Sequence, residues 1–318
     1  HNKSNVSSCF TTRGTNVISY AGWLKTSSFN IRYDRISDAD LRPNRGRDTA
    51  WGLSGTVLSV GMLSIFAVIF VVPLVQNWPY QTQFTLAHVQ AVFADSELQT
   101  VYLHSLGMAL CTAFFGTLLA YGAALITARS TLPKWRKQSV DSIALVTNTI
   151  PGMVLGLAFL FTFTGTPLQN TFPLMILCNI VHYFSTPYLM MKNSLSKMNA
   201  GWETTAMLMG DSWPKTILRV VTPNAASSLI EVFSYYFINA MVTISALIFL
   251  AGARTMVLTT KIKQLQYVNE YNEVFVLSLL ILFTNLLAKA IFTWLANRSA
   301  QTGKRNNKKR KETKPSCI

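Results

Sequence analysis

The sequence predicts an all-α integral membrane protein with six transmembrane helices. Of its 318 residues, 50% are apolar and 13% charged, and its mean hydropathy is +0.30. That is too apolar and too poor in charge for an ordinary soluble domain. The apolar residues gather in blocks of about 20, the length at which a helix crosses a hydrocarbon core of about 30 Å. The blocks are apolar on every face, as in "VLSVGMLSIFAVIFVVPLV", whereas membrane β-strands alternate polar and apolar residues over about 10 positions.

The spans fall at about 52–75, 101–127, 142–164, 171–191, 225–251 and 274–296. Residues 1–51 mix Ser, Thr, Asn and Arg without helical periodicity and read as a basic cytoplasmic segment or linker. Residues 52–100 hold the first span and "TLAHVQAVFADSEL", an amphipathic helix on the outer interface with Leu86, Val89 and Val92 or Phe93 inward. Residues 297–318 read as a disordered basic cytoplasmic tail. The start at His1 in place of Met suggests a fragment that lacks either a few residues or a whole preceding membrane half, and a cleaved signal is not expected, because no apolar stretch precedes residue 52.

Lys and Arg set the orientation. Eight precede the first span, eight lie from Arg298 to Lys314, and loops 128–141 and 192–224 hold four each. The external candidates 76–100 and 165–170 hold none, and loop 252–272 holds three. Both termini are therefore expected in the cytoplasm. The net charge of +15 is explained by topology and needs no nucleic acid; a basic tail without interleaved aromatics is a solvated anchor near acidic lipid. Cys9, Cys111, Cys178 and Cys317 form no zinc-type pair and no disulfide framework, and no metal site is expected.

The polar loop "AGWETTAMLMGDSWPKTILRVVTP" at 200–223 stands between two spans. Asn199 is a fair N-cap, Glu203 falls in a first turn where the helix dipole favours an anion, and Gly210 is a natural left-handed stop. Asp211 and Ser212 can cap a second helix with Pro214 in its first turn, and Pro223 is expected to end it before the fifth span. Trp202, Ala206 and Met209 stand at i, i+4 and i+7, so the first helix carries an apolar face in need of a groove. The groove belongs either to this chain's own helix ends or to a cytoplasmic partner.

Inside the spans, Pro151 interrupts backbone hydrogen bonding, and Gly152 and Gly156 make a small-residue face for close helix approach; a gate and plain packing both fit. Pro173 and Pro187 read as boundary residues. Glu231, His182 and Lys289 are the ionisable residues deepest in the apolar blocks, at similar expected depth. A carboxylate there costs about 2.5–3.5 kcal/mol on insertion scales, so Glu231 gains from a partner such as Lys289 or His182. His88, Asp95 and Glu97 are outer-face contacts or solvated surface.

The run Glu203, Thr204, Thr205, Ala206, then Gly210 after three residues, Val220 after nine more, and Pro223, resembles the EAA loop of the permeases of binding-protein-dependent ABC importers. Thr204 and Thr205 replace the usual Glu or Ala, and Thr222 the usual Leu. "LHSLGMALCTAFFGTLLAYGAALITAR" is similar to that family's second span and "TIPGMVLGLAFLF" to its third, so the likeness covers about 100–295, with a permease domain over 101–296. "YYFINAMVTISALIFL" is most similar to permeases for iron(III) and 2-aminoethylphosphonate, several of which carry two such halves.

The resemblance implies a type I, MetI-like fold in the bacterial inner membrane, with a second permease half, separate ATPase subunits and an extracytoplasmic solute-binding protein as partners. It implies no cofactor and no catalytic residue. The helix at 201–209 would dock in the ATPase, with Trp202, Glu203, Thr204, Thr205, Ala206, Met209, Gly210, Val220 and Pro223 in the coupling element. Pro151, Gly152, Gly156, His182 and Glu231 would belong to the pathway or gate. "TGKR" is not a phosphate-binding loop, so ATP would be bound elsewhere. A gradient-driven carrier is the alternative, but it calls for repeat-related broken helices and several acids at mid-depth. A membrane enzyme calls for a nucleophile with a base or a metal cluster, and the histidines lie in separate segments.

Overall fold

A computed structural model of the chain describes residues 45–77 and 80–312. By their contacts, residues up to Met62 and residues from Leu63 onward form two units. Helix α1 runs Arg45–Val71, seven residues ahead of the expected span, and ends at a single 3-10 turn around Pro73. The earlier part of the basic N-terminal segment lies outside the described residues.

A short antiparallel hairpin, β1 (Val75–Asn77) and β2 (Gln81–Phe84), leads to α2 (Ala87–Ala94). Asp95 stops α2 in an extended conformation, and its Oδ1 accepts from the Glu97 amide at 2.7 Å to open α3 (Ser96–Arg129). The helix expected on the outer interface is α2 alone, with Val92 buried, Val89 half-buried, and Phe93 and Leu86 exposed.

Among the described residues, four helices are long and apolar enough to cross a membrane, or up to six if each of two bent pairs forms one span. The first break falls at Pro151, where an interruption of backbone hydrogen bonding is expected; the second corrects the expectation that Pro187 only bounds the fourth span. In the third, α4 (Lys134–Val146) with its 3-10 end meets α5 (Gly152–Phe163) at 106°. Proline restricts the residue before it to extended backbone, and Ile150 accordingly takes φ −88 and ψ 121. In the fourth, α6 (Phe172–His182) and α7 (Ser185–Ser196) meet at 58°, because Pro187 has no amide hydrogen to bond back across the break.

After α8 (Gly201–Leu208), one helix runs from Trp213 to Val242 and forms the fifth span. Its parts are α9 (Trp213–Thr216), a π-turn at Ile217–Val221, and α10 (Thr222–Val242). Pro223 therefore does not end a helix, contrary to expectation. The π-turn widens the backbone before the proline ring, and the Thr222 hydroxyl donates to the Ile217 carbonyl at 2.9 Å. The span also ends earlier than expected, since Thr243 turns to extended backbone and 3-10 turns follow.

Helix α11 (Leu258–Tyr267) precedes α12 (Tyr271–Glu312). Helix extends through residues 297–312, where disorder was expected. Lys, Arg, Gln and Asn extend an existing helix without a new nucleus. Residues 313–318 lie outside the described part.

Three apolar clusters hold the second unit together. The largest joins α3, α7 and α10 through Ala109, Ala113, Tyr188, Met191, Val232 and Tyr236. Alanines and Gly116 let α10 come close: a Cβ on Gly116 would stand 2.8 Å from the Tyr236 ring. A second cluster ties α2 and the start of α3 to α11 and the start of α12. The third packs α5 and α6 against Leu247 and Leu250.

Candidate functional site

Helix α8 begins where the Asn199 side chain accepts from the Gly201 amide at 2.8 Å, so Asn199 caps the helix. Glu203 lies in the first turn, and its partner is Arg129 at the end of α3. The guanidinium Nε stands 2.7 Å from Oε1, and Nη2 donates to Oε2 at 2.9 Å. Arg129 also donates to the carbonyls of Met198 and Asn199, at 3.0 and 3.1 Å. One buried cation, 3% exposed, thereby fixes both the turn entering α8 and its first carboxylate, itself 15% exposed.

The expected apolar face divides. Trp202 packs on the α3–α7–α10 cluster, so its groove belongs to this chain, and Ala206 is half-buried. Met207, Leu208 and Met209 are 69%, 85% and 79% exposed, a bare apolar tip on α8. Thr204 and Thr205 are exposed beside it. Gly210 has φ +77, a left-handed turn that returns the chain to α9, where Lys215 pairs with Asp211. Val220 lies in the π-turn and Pro223 opens α10.

The breaks of three spans come together away from α8. A Cβ on Gly152 would collide with Ser245 Oγ and stand 3.0 Å from the His182 ring. One on Gly156 would strike the Ala246 carbonyl and approach its Cα to 2.9 Å. The small residues of α5 thus admit the irregular backbone after α10, not another helix. Thr243 bonds Tyr183 Oη at 2.8 Å, and His182 Nδ1 is buried without a hydrogen-bond partner. Pro151, Gly152, Gly156 and His182 are therefore neighbours at one junction of broken helices.

Glu231 is not part of that junction. It lines a cavity of about 380 Å³ between α7, α10 and α12, together with Tyr235, Asn239 and Lys289. No ion pair within 4.0 Å joins Glu231 to Lys289. The expected contact with His182 is also absent, since the histidine packs beside Gly152 and Tyr183.

The sequence matches the model of the family described as "Binding-protein-dependent transport system inner membrane component" over residues 116–301, more than half of the chain. The chain belongs to this family. The permease is 26% identical over 231 residues to the putative ferric transport system permease protein FbpB 1 of Haemophilus influenzae, a match covering 69% of this chain and 35% of the relative. It is 22% identical over 242 residues to the ferric transport system permease protein FbpB of Actinobacillus pleuropneumoniae, covering 73% and 34%. The chain thus spans about a third of the length of these curated relatives. Its fold is similar to a chain in the crystal structure of a bacterial alginate ABC transporter in complex with an alginate pentasaccharide-bound periplasmic protein. That likeness has a TM-score of 0.64 at 12% identity and covers 80% of this chain and 96% of the other. The permease has the fold of a type I ABC importer membrane subunit, a multi-pass inner membrane architecture.

Several residues that organise the permease carry no motif of their own. Asp141 on α4 receives both the Tyr188 hydroxyl and, at 2.5 Å, the Lys192 ammonium of α7. Arg129 had one legible signal, a lone arginine closing the apolar run "ALITAR". Of the residues expected on the outer face, His88 contacts the Gln76 carbonyl at 3.3 Å, Asp95 caps α3 and Glu97 pairs with Lys261 at 2.6 Å. All three residues thus have contacts within the chain.

Proposed function

We propose that the chain is the membrane-spanning half of an ATP-driven importer of iron(III), coupled through α8 to a separate ATPase. The observation that carries this reading is the clamped helix with a bare tip. Arg129 fixes the base of α8, Gly210 turns its end, and Met207, Leu208 and Met209 project without cover. An apolar tip on a fixed helix fits a groove on a partner, and force on the tip reaches α3 through the Arg129–Glu203 pair.

In this reading residues 101–296 form the permease domain, and loop 200–223 is the coupling element, with Trp202, Glu203 and Ala206 holding it to the bundle. Thr204, Thr205 and Met209 would meet the ATPase, and Val220 and Pro223 would pass its motion into α10. The Lys and Arg distribution supports a reading with α8 and both termini in the cytoplasm. A second permease half completes the path, and an extracytoplasmic solute-binding protein supplies the solute. Pro151, Gly152, Gly156 and His182 form the gate, where three spans lose their helical bonding at one level. Iron(III) is favoured over a phosphonate because both curated relatives are ferric transport permeases.

The test is reconstitution of the permease with its second half, the ATPase and the binding protein in proteoliposomes. ATP-dependent accumulation of radioactive iron, lost when Met207 and Leu208 are both changed to Asp, is the expected result. Iron uptake that persists without ATP would defeat the proposal.

A further inference from the structure

The cavity beside Glu231 sets polar side chains among apolar ones, Met190, Ile238 and Ala296, inside the spans. Helix α10 contributes Glu231, Tyr235 and Asn239 at i, i+4 and i+8; α12 contributes Lys289, Thr293 and Asn297 at the same spacing. Each helix therefore turns one polar stripe toward the same space. The α10 stripe continues one further turn to Thr243, which binds Tyr183.

The two charges stand at different levels. The Phe292 ring meets Phe233 at 5.3 Å and Phe237 at 5.7 Å, so residue 292 of α12 is level with about residue 235 of α10. These helices are successive spans running in opposite directions, which sets Glu231 level with Ala296 and Lys289 level with Ile238. The seven residues from 289 to 296 amount to roughly 10 Å along the axis. That offset explains why no ion pair forms, and it corrects the expectation of equal depth. Both side chains are exposed. A carboxylate and an ammonium left unpaired in an apolar span are costly to insert, and such residues face a protein interior or a water-filled space.

We propose that this cavity is a solute subsite with two poles, a carboxylate at the end nearer α8 and an ammonium deeper in. It takes a solute that carries cationic and anionic charge together. Resting on the iron reading above, that solute is iron(III) moving with an anionic oxygen ligand, the metal side toward Glu231 and the oxyanion side toward Lys289. Tyr235 supplies a hydrogen bond between the poles and Asn239 one beside Lys289.

The experiment uses the complete reconstituted importer with ferric citrate labelled in the iron. Glu231→Gln and Lys289→Met are each expected to raise the KM for uptake at least tenfold, while the variants still assemble with the ATPase. The exchange Glu231→Lys with Lys289→Glu is expected to assemble like the single variants and not to recover the wild-type KM, since the poles are reversed. Unchanged KM in both single variants would overturn the subsite. As a check independent of uptake, Asn239→Cys and Thr293→Cys, in a chain whose own cysteines are replaced by Ser, are expected to react with a membrane-impermeant thiol reagent. If neither reacts, the cavity is closed to water and the proposal fails. Uptake of 2-aminoethylphosphonate in place of iron, with the same dependence on both charges, would overturn the iron reading and leave the two-pole site standing.

Discussion

Arg129 at the end of α3 and Glu203 in the first turn of α8 form a buried ion pair, with Nε 2.7 Å from Oε1. The same guanidinium holds two backbone carbonyls of the turn between α7 and α8. Removing one member of a buried pair leaves the other uncompensated, at a cost of about 3–5 kcal/mol. Arg129→Gln is expected to release α8 without unfolding the spans. Amide hydrogen exchange over 198–210 checks it: exchange should rise by orders of magnitude there and stay unchanged in α3 and α10. Glu203→Gln retains an acceptor and should have a smaller effect.

Gly210 turns the chain at φ +77. A left-handed conformation costs an ordinary L-residue about 1–2 kcal/mol, and a β-branched one more. The space around it is open, so the strain is in the backbone alone. Gly210→Val is expected to leave membrane insertion intact and to uncouple ATP hydrolysis from uptake, with Gly210→Asn far milder. Normal uptake in the valine variant would reduce this segment to a connector.

Gly156 meets the backbone of Ala246, which cannot move aside as a flexible side chain would. Overpacking of this kind costs about 1–3 kcal/mol. Gly156→Ala should lower the thermal midpoint of the detergent-solubilised permease. Gly107→Ala on α3, where a Cβ meets open space, is the matched control and should not lower it.

Asp141 receives Tyr188 and Lys192 from α7, and Tyr188 also bonds Thr127 Oγ1 at 3.0 Å. Its carboxylate ties α4 of the third span to α7 of the fourth. Asp141→Asn keeps an acceptor but removes the charge facing Lys192, whereas Asp141→Ala leaves the fully buried Tyr188 with only Thr127. An unsatisfied buried polar group costs about 1–3 kcal/mol, so Ala should destabilise more than Asn, read as the difference in thermal midpoint. Equal midpoints for the two variants would remove Asp141 from this role.

Much of the fold was legible because helices are local. The apolar blocks, the Asn199 cap, Gly210 as a left-handed stop and Pro214 in a first turn all depend on residues within a few positions of one another. The errors were local rules overridden by context. Pro223 reads as a terminator, yet a π-turn ahead of it lets the helix pass through. Pro151 and Pro187 announce irregular backbone, but bends of 106° and 58° depend on what packs against the breaks.

The sequence by itself determined a membrane protein, the number and order of its spans, the uneven distribution of positive charge and the position of the polar loop with its helix, turn and helix. Tertiary structure alone decided that Arg129 meets Glu203 across 74 residues, that Gly152, His182 and Ser245 share one junction, and that Glu231 and Lys289 share a cavity without touching. Periodicity fixes which face of a helix is apolar. It does not fix how far one helix slides along another, and a shift of two turns separates an ion pair from a cavity with two poles.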